Sequence, residues 1–308
     1  MSGDTVEAAV EALEAGELVL LPTETVYGLA ADASNALAVA KIFEAKGRPR
    51  FNPLIAHVDS LGAAELIACF DARARALAAA FWPGPLTIVT PVREGAAVSD
   101  LARAGLDTVA VRAPAHPLAR AVIARFGPPV VAPSANRSGR PSPTTFADAL
   151  EETGFAVRAA LDGGPCTVGL ESTVVSVLDG RVRLLRPGAV TREELAGVIG
   201  ELLDDDGEAH RSPGRLAAHY APNAPVRLNA EAPRPGEAYL AFGAAPRGER
   251  VFQLSAARDP REAAANLFRL LREADRTKPS AIAVASIPLE GLGEALNDRL
   301  RRAAGHVG

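Results

Sequence analysis

The chain has 308 residues, a formal net charge of -4 and 48% hydrophobic residues. A chain of this length can bury a large core and is expected to divide into two domains. Its acidic balance argues against a generally cationic nucleic-acid coat. The N-terminal residues are acidic where a signal peptide is basic, and no apolar run approaches the roughly 20 residues of a membrane span. We therefore expect a cytoplasmic protein that has no contact with a membrane.

The first two hundred residues alternate between short apolar runs and helical patterns. The apolar runs predict strands at ELVLLP, PLIAHV, LTIVTP, TVAVRAP, VVAPS, STVVSVL and RVRLL. Helical spacing, in several cases after a Ser, Thr, Asp or Asn cap, predicts helices at 35–46, 71–82, 116–126, 144–152 and 191–203. This alternation predicts an α/β domain with a large mixed twisted sheet and flanking helices.

A polar stretch, DDDGEAHRSPG at residues 204–214, interrupts this pattern and has the composition of a linker. The strands VRL, AYLAFG, VFQLS and AIAVASI and the helices 260–276 and 292–304 then predict a smaller, Rossmann-like α/β unit with a partly parallel sheet. We therefore predict a first domain over residues 1–203, a linker over 204–225 and a second domain over 226–308.

The sequence has no metal-binding or disulfide signature. Cys69 and Cys166 belong to no CxxC or Cys/His spacing, so both are expected to be packing residues. No HExxH, HxxxH or EF-hand loop occurs. We predict no metal site made by the protein, and a magnesium ion would arrive with the phosphates of a substrate.

Polar residues follow the first predicted strand in the segment LPTETVYGLAAD, residues 21–32. Two hydroxyls, a carboxylate and a tyrosine gather there, and such groups are costly to bury without partners. Thr25 is therefore a candidate for ligand binding. The alternative is a strand-to-helix cap made by Thr23 or Thr25.

Three cations crowd a turn in KGRPRFNPLIAHV, namely Lys46, Arg48 and Arg50. Their mutual repulsion would suit a polyanion such as a triphosphate, although a solvated turn would also tolerate them. No GxxxxGK[ST] loop is present to hold a nucleotide in another way. His57 ends the following strand, and taken alone it would more often be a satisfied core histidine.

Two further segments, DTVAVRAP and VVAPSANRSGRPSPTT, place polar side chains beside strand ends. Arg112 stands in an otherwise apolar strand, and a buried arginine needs an anion. That anion is either a ligand or a structural Asp or Glu. The SANRSGRPSP stretch is either part of a site or a stiff loop without a ligand.

The segments GLESTVVSV and RVRLLRPG bring Ser172 and Arg186 to the rim of two adjacent strands. All of these segments place donors just after a strand, where open α/β sheets bind ligands. They predict one basic pocket around Lys46, Arg48, Arg112 and Arg186.

Together the segments resemble the YrdC-like family of L-threonylcarbamoyladenylate synthases from about residue 9 to residue 188. The motifs that carry the resemblance occur in family order: PTETVYGL, KGRPxxNPL, Lys46 with Arg48, Ser134 with Asn136, SGRPSPT, ESTVV and LRPG. The segment SPGRLAAHYAP, residues 212–222, is similar to the linker motif of the longer, two-domain form. The resemblance implies a YrdC-like catalytic domain followed by the smaller domain.

The resemblance also implies a nucleotidyltransferase that makes threonylcarbamoyl-AMP and pyrophosphate from L-threonine, bicarbonate and ATP. The product serves threonylcarbamoyladenosine modification of tRNA next to the anticodon. The adenylate would be handed over to a tRNA threonylcarbamoyl transferase complex, with direct tRNA contact possible but not required. Mg²⁺ would be bound through the phosphates of ATP.

Site residues carry over by motif. The cations that neutralise developing charge would be Lys46, Arg48 and Arg186. The threonine site would comprise Thr25, His57, Arg112, the main chain at Ala132, and Ser172, with Arg112 forking onto the carboxylate. ATP would be held by Arg48, Asn52, Thr108, Ser134, Asn136, Ser142, Arg186 and Tyr220. The segment around Tyr220 would serve as a lid over labile intermediates.

Two alternatives stay open on the sequence. The surface of Lys46 and Arg48 could bind an RNA phosphate, although the acidic net charge and the lack of interleaved aromatics oppose this. A related domain also acts in carbamoyl transfer for metal-centre maturation. That alternative predicts zinc-finger cysteines and extra domains, which this sequence lacks.

Overall fold

A computed structural model describes residues 3–49, 51–205 and 220–305. The strands in these ranges are β1 (Val19–Leu21), β2 (Gly28–Asp32), β3 (Ile55–His57), β4 (Leu86–Pro91), β5 (Thr108–Arg112), β6 (Val130–Val131), β7 (Ala159–Ala160), β8 (Thr173–Leu178), β9 (Arg181–Arg186), β10 (Leu203–Asp204), β11 (Val226–Arg227), β12 (Ala238–Phe242), β13 (Val251–Ser255) and β14 (Ile282–Val284). The α-helices are α1 (Val6–Glu14), α2 (Ala36–Lys46), α3 (Leu61–Ile67), α4 (Ala72–Phe81), α5 (Pro117–Phe126), α6 (Phe146–Thr153), α7 (Arg192–Ile199), α8 (Pro260–Arg276) and α9 (Leu292–Ala303). No helix in these ranges combines the length and the apolar character needed to span a bilayer.

Ten of the strands form one large sheet in the order β10-β9-β8-β4-β5-β3-β6-β2-β1-β7. Its neighbours run in both directions: β1 is antiparallel to β2 and parallel to β7, while β3 is parallel to β5. The sheet is therefore mixed. The fold class predicted from the alternating strands and helices is confirmed.

Alternate residues of β1 point to opposite faces of this sheet, as the period of a strand dictates. Leu20 joins a buried cluster with Ile42 of α2 on one face. Leu21 joins a second cluster with Leu13 of α1 and Val122 of α5 on the other face. Helices thus cover both faces of the sheet at β1.

The second sheet has the order β11-β14-β12-β13, and its pairs are all parallel where the sequence predicted a partly parallel sheet. The amphipathic helix α8 covers it, because Leu267 and Leu271 on one stripe of the helix pack with Leu240 of β12. Leu296 of α9 completes this core. The result is a small α/β domain of four strands and two helices beside the large one.

The structure overturns the strand-to-helix cap considered for residues 21–32. After β1 the chain turns back into β2, which is antiparallel to it with Leu21 opposite Gly28. Thr23 Oγ1 accepts hydrogen bonds from the backbone N–H groups of Thr25 and Val26, both at 3.2 Å, and donates to Val26 O at 2.6 Å. The hydroxyl closes a turn between strands and caps no helix. Neither α1 nor α3 was predicted from the sequence.

The two domains touch through apolar residues and ion pairs. Val26 and Leu170 from the first domain share a buried cluster with Leu267 of α8 and with Tyr220. At Gly169 the two domains approach each other closely, since a Cβ there would lie 2.5 Å from Ala264 O. Ion pairs cross the same boundary at Arg192–Glu294, Arg272–Glu152, Arg276–Asp148 and Arg299–Glu171.

The domain limits 1–203, 204–225 and 226–308 stay a prediction. The last strand of the large sheet ends at Asp204, and the first strand of the small sheet begins at Val226. Between them, residues 206–219 of the predicted linker lie outside the described residues, as does Arg50.

Candidate active site

A cavity of about 50 Å³ opens where several strands of the large sheet end, next to the second domain. Its wall is made by Thr25, Val26, Arg48, Pro53, Leu54, Ile55, His57, Arg112, Ala132, Pro133, Ser134, Glu171, Ser172, Arg186 and Tyr220.

Strand pairing explains why residues far apart in sequence meet in this wall. β3 and β5 are parallel, and their register sets His57 opposite Arg112 at the carboxyl ends of both strands. β9 is antiparallel to β8 with Arg186 opposite Val174. The end of β9 therefore lies beside the start of β8, where Ser172 precedes the strand.

Arg112 is buried and oriented by three protein acceptors. Its Nη2 donates to Glu24 Oε1, its Nη1 donates to Thr25 Oγ1 at 2.9 Å, and its Nε donates to Gly84 O at 3.2 Å. These bonds use three of the five N–H groups of a guanidinium, which leaves two for a ligand carboxylate. Of the two anions considered for Arg112, the structural carboxylate is present, and the arginine retains donors for a substrate.

Glu24 is ionised in this setting. Burial alone would raise its pKa, but the charge and hydrogen bond of Arg112 and the backbone N–H of Ala115 hold the pKa of Glu24 below its ordinary value. The pair thus brings a fixed, charge-balanced arginine to the cavity.

His57 lines the same end of the cavity as an uncharged ring. Its Nδ1 lies 3.1 Å from Ile55 O, and because a carbonyl only accepts, Nδ1 carries the proton of the neutral imidazole. Burial, assisted by the positive charge of Arg112, lowers the pKa of His57 to about 3. The acceptor of the ring at neutral pH is therefore Nε2.

Two arginines mark the other end of the cavity. Arg186 donates from Nε and Nη2 to Ser172 O at 3.2 and 2.8 Å, and Arg48 Nη2 donates to Pro53 O at 3.2 Å. Burial is the main cause that lowers the pKa of Arg48 to about 10; Tyr220 opposes this change, and the positive charge of Arg186 adds to it. Two guanidinium groups that face one cavity suit an anion with more than one charge.

Glu171 and Tyr220 close this arginine end. Tyr220 is buried with a left-handed backbone, φ +65°, and its ring packs at 5.3 Å from the ring of Phe268 in α8. Burial, followed by the negative charge of Glu171, raises the pKa of Tyr220, so the phenol stays neutral near pH 7. The second domain therefore holds one wall of a cavity that belongs otherwise to the first domain.

Three buried polar atoms without partners belong to residues that line the cavity or lie within two positions of a lining residue. Arg48 Nε, Asn52 Oδ1 and Asn136 Oδ1 have no hydrogen-bond partner among the described residues. Buried polar groups are normally paired, so an orphaned set beside a cavity indicates a polar ligand. Asn136 also donates from Nδ2 to Arg137 O and Arg140 O at 2.8 and 2.9 Å, which fixes its loop.

The cavity wall contains nine of the site residues predicted from the sequence: Thr25, Arg48, His57, Arg112, Ala132, Ser134, Ser172, Arg186 and Tyr220. The other five, which do not line it, are Lys46, Asn52, Thr108, Asn136 and Ser142. The individual roles of all fourteen stay predictions.

Lys46 stands behind the wall. It is 3% exposed, and its Nζ donates to the backbone oxygens of Ser134 and Asn136. Burial first, and then the charge of Arg48, lower the pKa of Lys46 well below its ordinary value. Its direct contacts are thus with the loop that carries Ser134, and not with the cavity.

Thr108 and Ser142 are also set back from the wall. Thr108 pairs with Pro91 at the start of β5, on the same face as Arg112 and roughly 13 Å from it at the usual rise of a strand. Ser142 donates from Oγ to Glu171 Oε1. Its contact with the cavity is made through that carboxylate.

Sequence analysis missed Glu24 and Glu171 as members of the site. Both stand inside the recognised motifs, PTETV and ESTVV. Their hydroxyl-bearing neighbours Thr25 and Ser172 were predicted as site residues, and the two acids were not. Arg299, which pairs with Glu171 from the second domain, has no motif around it. Within the described ranges no group of three His, Cys, Asp or Glu could hold a metal ion.

Fold and cavity together define a two-domain α/β protein with a cationic ligand site at the strand ends of its first domain. A family model described as "Telomere recombination" matches residues 11–188, and one described as "Threonylcarbamoyl-AMP synthase, C-terminal domain" matches residues 190–305. The threonylcarbamoyl-AMP synthases of Bacillus subtilis and Pyrococcus abyssi are each 40% identical to this chain, over 96% and 94% of it and 92% and 91% of their own lengths. The chain belongs to the threonylcarbamoyl-AMP synthase family.

Solved structures agree with this assignment. The crystal structure of P. abyssi Sua5 complexed with L-threonine has a TM-score of 0.91 and 38% identity, covering 98% of this chain and 94% of that chain. A full-length HypF structure, at 21% identity and a TM-score of 0.53 over 59% of this chain and 28% of that chain, shares the fold alone. The family, its two-domain form and the enzyme class inferred from the motifs are confirmed.

Proposed function

We propose that this protein makes threonylcarbamoyl-AMP and pyrophosphate from L-threonine, bicarbonate and ATP. One observation carries the proposal: a single cavity joins one end, at Thr25, His57 and Arg112, to an end with two arginines, Arg48 and Arg186. The first end matches a carboxylate and an amine, and the second matches phosphates. The reaction must occur where the two substrates meet.

The threonine site comprises Thr25, His57, Arg112, the main chain at Ala132, and Ser172. Arg112 binds the carboxylate with the two N–H groups that its protein partners leave over. His57 acts as a neutral hydrogen-bonding group, because a ring whose pKa is about 3 does not take up a second proton near neutral pH. The bound threonine amine then points toward the arginine end.

ATP is held by Arg48, Asn52, Thr108, Ser134, Asn136, Ser142, Arg186 and Tyr220. The orphaned oxygens of Asn52 and Asn136 supply acceptors for N–H or O–H groups of the nucleotide. Arg48 and Arg186 face the phosphates. Thr108 lies one strand length from Arg112, so an extended nucleotide could run along β5 to reach it. Mg²⁺ accompanies ATP and is held by the phosphate oxygens and water.

The chemistry needs no covalent enzyme intermediate. The threonine amine attacks the carbon of bicarbonate, water leaves, and a carbamate oxygen then attacks the α-phosphorus in line as pyrophosphate departs. Positioning and charge neutralisation supply the catalysis. Arg48 and Arg186 neutralise charge directly, and Lys46 supports them from behind through the loop of Ser134 and Asn136.

The adenylate is labile in water, so it is expected to pass to a tRNA threonylcarbamoyl transferase complex for modification of the adenosine beside the anticodon. We propose that this hand-over takes place in the cytoplasm. Tyr220 closes the arginine end of the cavity during the reaction. Direct tRNA contact is not required for any of these steps.

The test is an assay of pyrophosphate release in which threonine, bicarbonate and ATP are omitted in turn. Each omission should abolish release. Arg112→Ala should raise the KM for threonine by roughly a hundredfold, whereas Arg75→Ala, which removes an exposed arginine paired with Glu65, should leave it unchanged. Release that persists without threonine would overturn the proposal, and tight tRNA binding in that case would favour the RNA-binding alternative.

A further inference from the structure

We propose that Arg299, from the second domain, is a positioning residue of the active site, which holds the Glu171 carboxylate and the Tyr220 ring at the nucleotide end of the cavity. This inference rests on the proposed use of that end for ATP. It gives the second domain a direct part in binding the nucleotide.

Arg299 is fully enclosed although it is a charged residue on a surface helix. It lies in α9 at 0% exposure, and Nε donates to Glu171 Oε2 at 2.8 Å. Nη1 donates to Asp298 Oδ2 at 2.6 Å, and the buried Nη2 has no partner among the described residues. The guanidinium carbon stands 5.4 Å from the centroid of the Tyr220 ring, within the range of a cation–π contact.

Glu171 connects this arginine to the cavity. It lines the wall at 7% exposure, with one oxygen bound by Ser142 Oγ and the other by Arg299 Nε. Burial alone would raise the pKa of Glu171, but the charges of Arg299 and then of Arg186 bring the pKa below its ordinary value. The carboxylate is therefore negative, in a cavity end that is proposed to hold phosphates.

A negative charge in that position would repel a polyphosphate unless it is balanced. Arg299 balances it from the side away from the cavity. Without Arg299, the positive charge that acts most strongly on the Glu171 carboxylate is that of Arg186. Glu171 would then compete with phosphate for Arg186 and draw it from its contacts with Ser172.

Tyr220 depends on the same residue. Its ring contacts Arg299 of α9 and Phe268 of α8, which both belong to the second domain. Tyr220 itself lines the cavity of the first domain. The Tyr220 ring thus takes two of its contacts, and with them part of its position, from the second domain.

Simple attachment of the two domains does not account for this arrangement. The boundary already has ion pairs at Arg272–Glu152, Arg276–Asp148 and Arg192–Glu294, and none of these acids lines the cavity. Of the four acids in the interdomain ion pairs named here, Glu171, the partner of Arg299, alone lines the cavity. An arginine that served only to join the domains would not need to pair with a cavity residue.

The experiment measures the dissociation constant of ATP by calorimetry and the KM values in pyrophosphate release, using the full chain. Arg299→Gln should weaken ATP binding by roughly tenfold or more at pH 7.5, with little change in the KM for threonine. Arg299→Lys keeps the charge and should recover most of the affinity. The deficit of Arg299→Gln should shrink as pH falls, because protonation removes the unbalanced charge of Glu171.

The matched control is Glu294→Gln, which breaks an ion pair to Arg192 from the same helix. It should leave ATP affinity unchanged. Equal losses from Arg299→Lys, Arg299→Gln and Glu294→Gln, with no pH dependence, would show that α9 only joins the domains and would overturn the inference.

If Arg299→Gln does not fold, the double variant Glu171→Gln/Arg299→Gln is measured in its place. Once Glu171 is neutral, loss of Arg299 should cost less than about threefold in ATP affinity relative to Glu171→Gln alone. A further tenfold loss would overturn the inference. Failure of the wild type to release pyrophosphate with threonine would count against the proposed function, whereas unchanged ATP affinity in Arg299→Gln would count against Arg299 only.

Discussion

Arg112 and Glu24 form a buried ion pair directly behind the cavity. Arg112 Nη2 donates to Glu24 Oε1, and Glu24 Oε2 accepts from the backbone N–H of Ala115 at 3.1 Å. A buried arginine is tolerated only with its charge balanced, and Glu24 balances it before any substrate arrives. The pair fixes the direction of the remaining guanidinium donors, so the threonine end is prepared in advance.

Glu24→Gln should weaken the binding of threonine. The amide cannot balance Arg112, so the guanidinium loses its fixed direction and its partner charge. We expect a KM for threonine raised by at least about tenfold, an ATP dependence close to wild type, and a free energy of unfolding lower by about 3 kcal/mol. Steady-state kinetics and urea unfolding measure these effects.

Glu17→Gln is the control for that experiment. Glu17 pairs with Lys41 at 2.9 Å, and both side chains are more than two-fifths exposed, at 43% and 42%. Its loss should change stability by less than about 1 kcal/mol and leave both KM values alone. A Glu24→Gln protein with the threonine KM of the wild type would refute the role of the pair.

His57 should make stability depend on pH in a defined window. The pKa of His57 is lowered from 6.5 to about 3 in the folded protein, so below pH 6.5 the unfolded chain binds a proton that the folded chain does not. Stability from this residue is complete above pH 6.5 and is lost as pH falls, by about 1.4 kcal/mol per pH unit.

Urea unfolding of the wild type and of His57→Gln between pH 6.5 and 4.5 isolates this contribution. Glu24 and Glu171, whose pKa values are lowered from 4.5, stay ionised in the folded state over that window. The wild type should lose stability more steeply than the variant. Parallel curves would show that His57 titrates normally in the folded protein.

The sequence predicted the sheet and most helices because their signals are local. Strands such as β5 and β8 are built around short apolar runs. Helix α2 begins at an Asn cap whose Oδ1 accepts from Leu37 N and Ala38 N. The turn at Thr23 was ambiguous for a physical reason. A threonine hydroxyl that accepts nearby N–H groups can cap a helix or close a strand turn, and only the partner strand decides between them.

The cavity was predictable as a set of residues but not as a geometry. Lys46 and Arg48 are two residues apart, and charge neutralisation was predicted for both, with ATP binding predicted for Arg48 in addition. Gly47 separates them with a left-handed backbone, φ +58°, that ends α2, so the lysine is buried behind the wall while the arginine lines it. Arg299 lies 128 residues from Glu171 and belongs to no motif, so only the docking of the domains reveals their contact.

Lys46→Met should act on the loop of Ser134 and Asn136. Removing the ammonium leaves two buried backbone oxygens without their donor, and each loss of this kind costs about 1–3 kcal/mol. We expect lower stability together with weaker ATP binding and a nearly unchanged threonine KM. Calorimetric ATP titration and thermal unfolding test both effects.

Lys41→Met, on the same helix, is the comparison for Lys46. Lys41 donates to Gly16 O at 2.9 Å from a part-exposed position, so its loss should be small in every measurement. If Lys46→Met kept full stability and lost only turnover, Lys46 would act as a charge on the reaction and not through the loop.

Gly169→Ala should loosen the docking of the second domain. Gly169 has φ +73°, and a Cβ would lie 2.5 Å from both Ala264 O and Ala265 Cα, atoms of the α8 backbone that cannot move without shifting the helix. Leu170 and Glu171 follow directly, so a displaced loop moves the cavity wall.

Gly105→Ala separates backbone strain from the clash with α8, since Gly105 has φ +74° with nothing within 4 Å of its Cβ position. Backbone strain alone should cost about 1 kcal/mol at Gly105, whereas Gly169→Ala should cost several times more and weaken ATP binding. Equal losses of stability at the two positions, with ATP affinity retained, would mean that the contact with α8 does not position the nucleotide end.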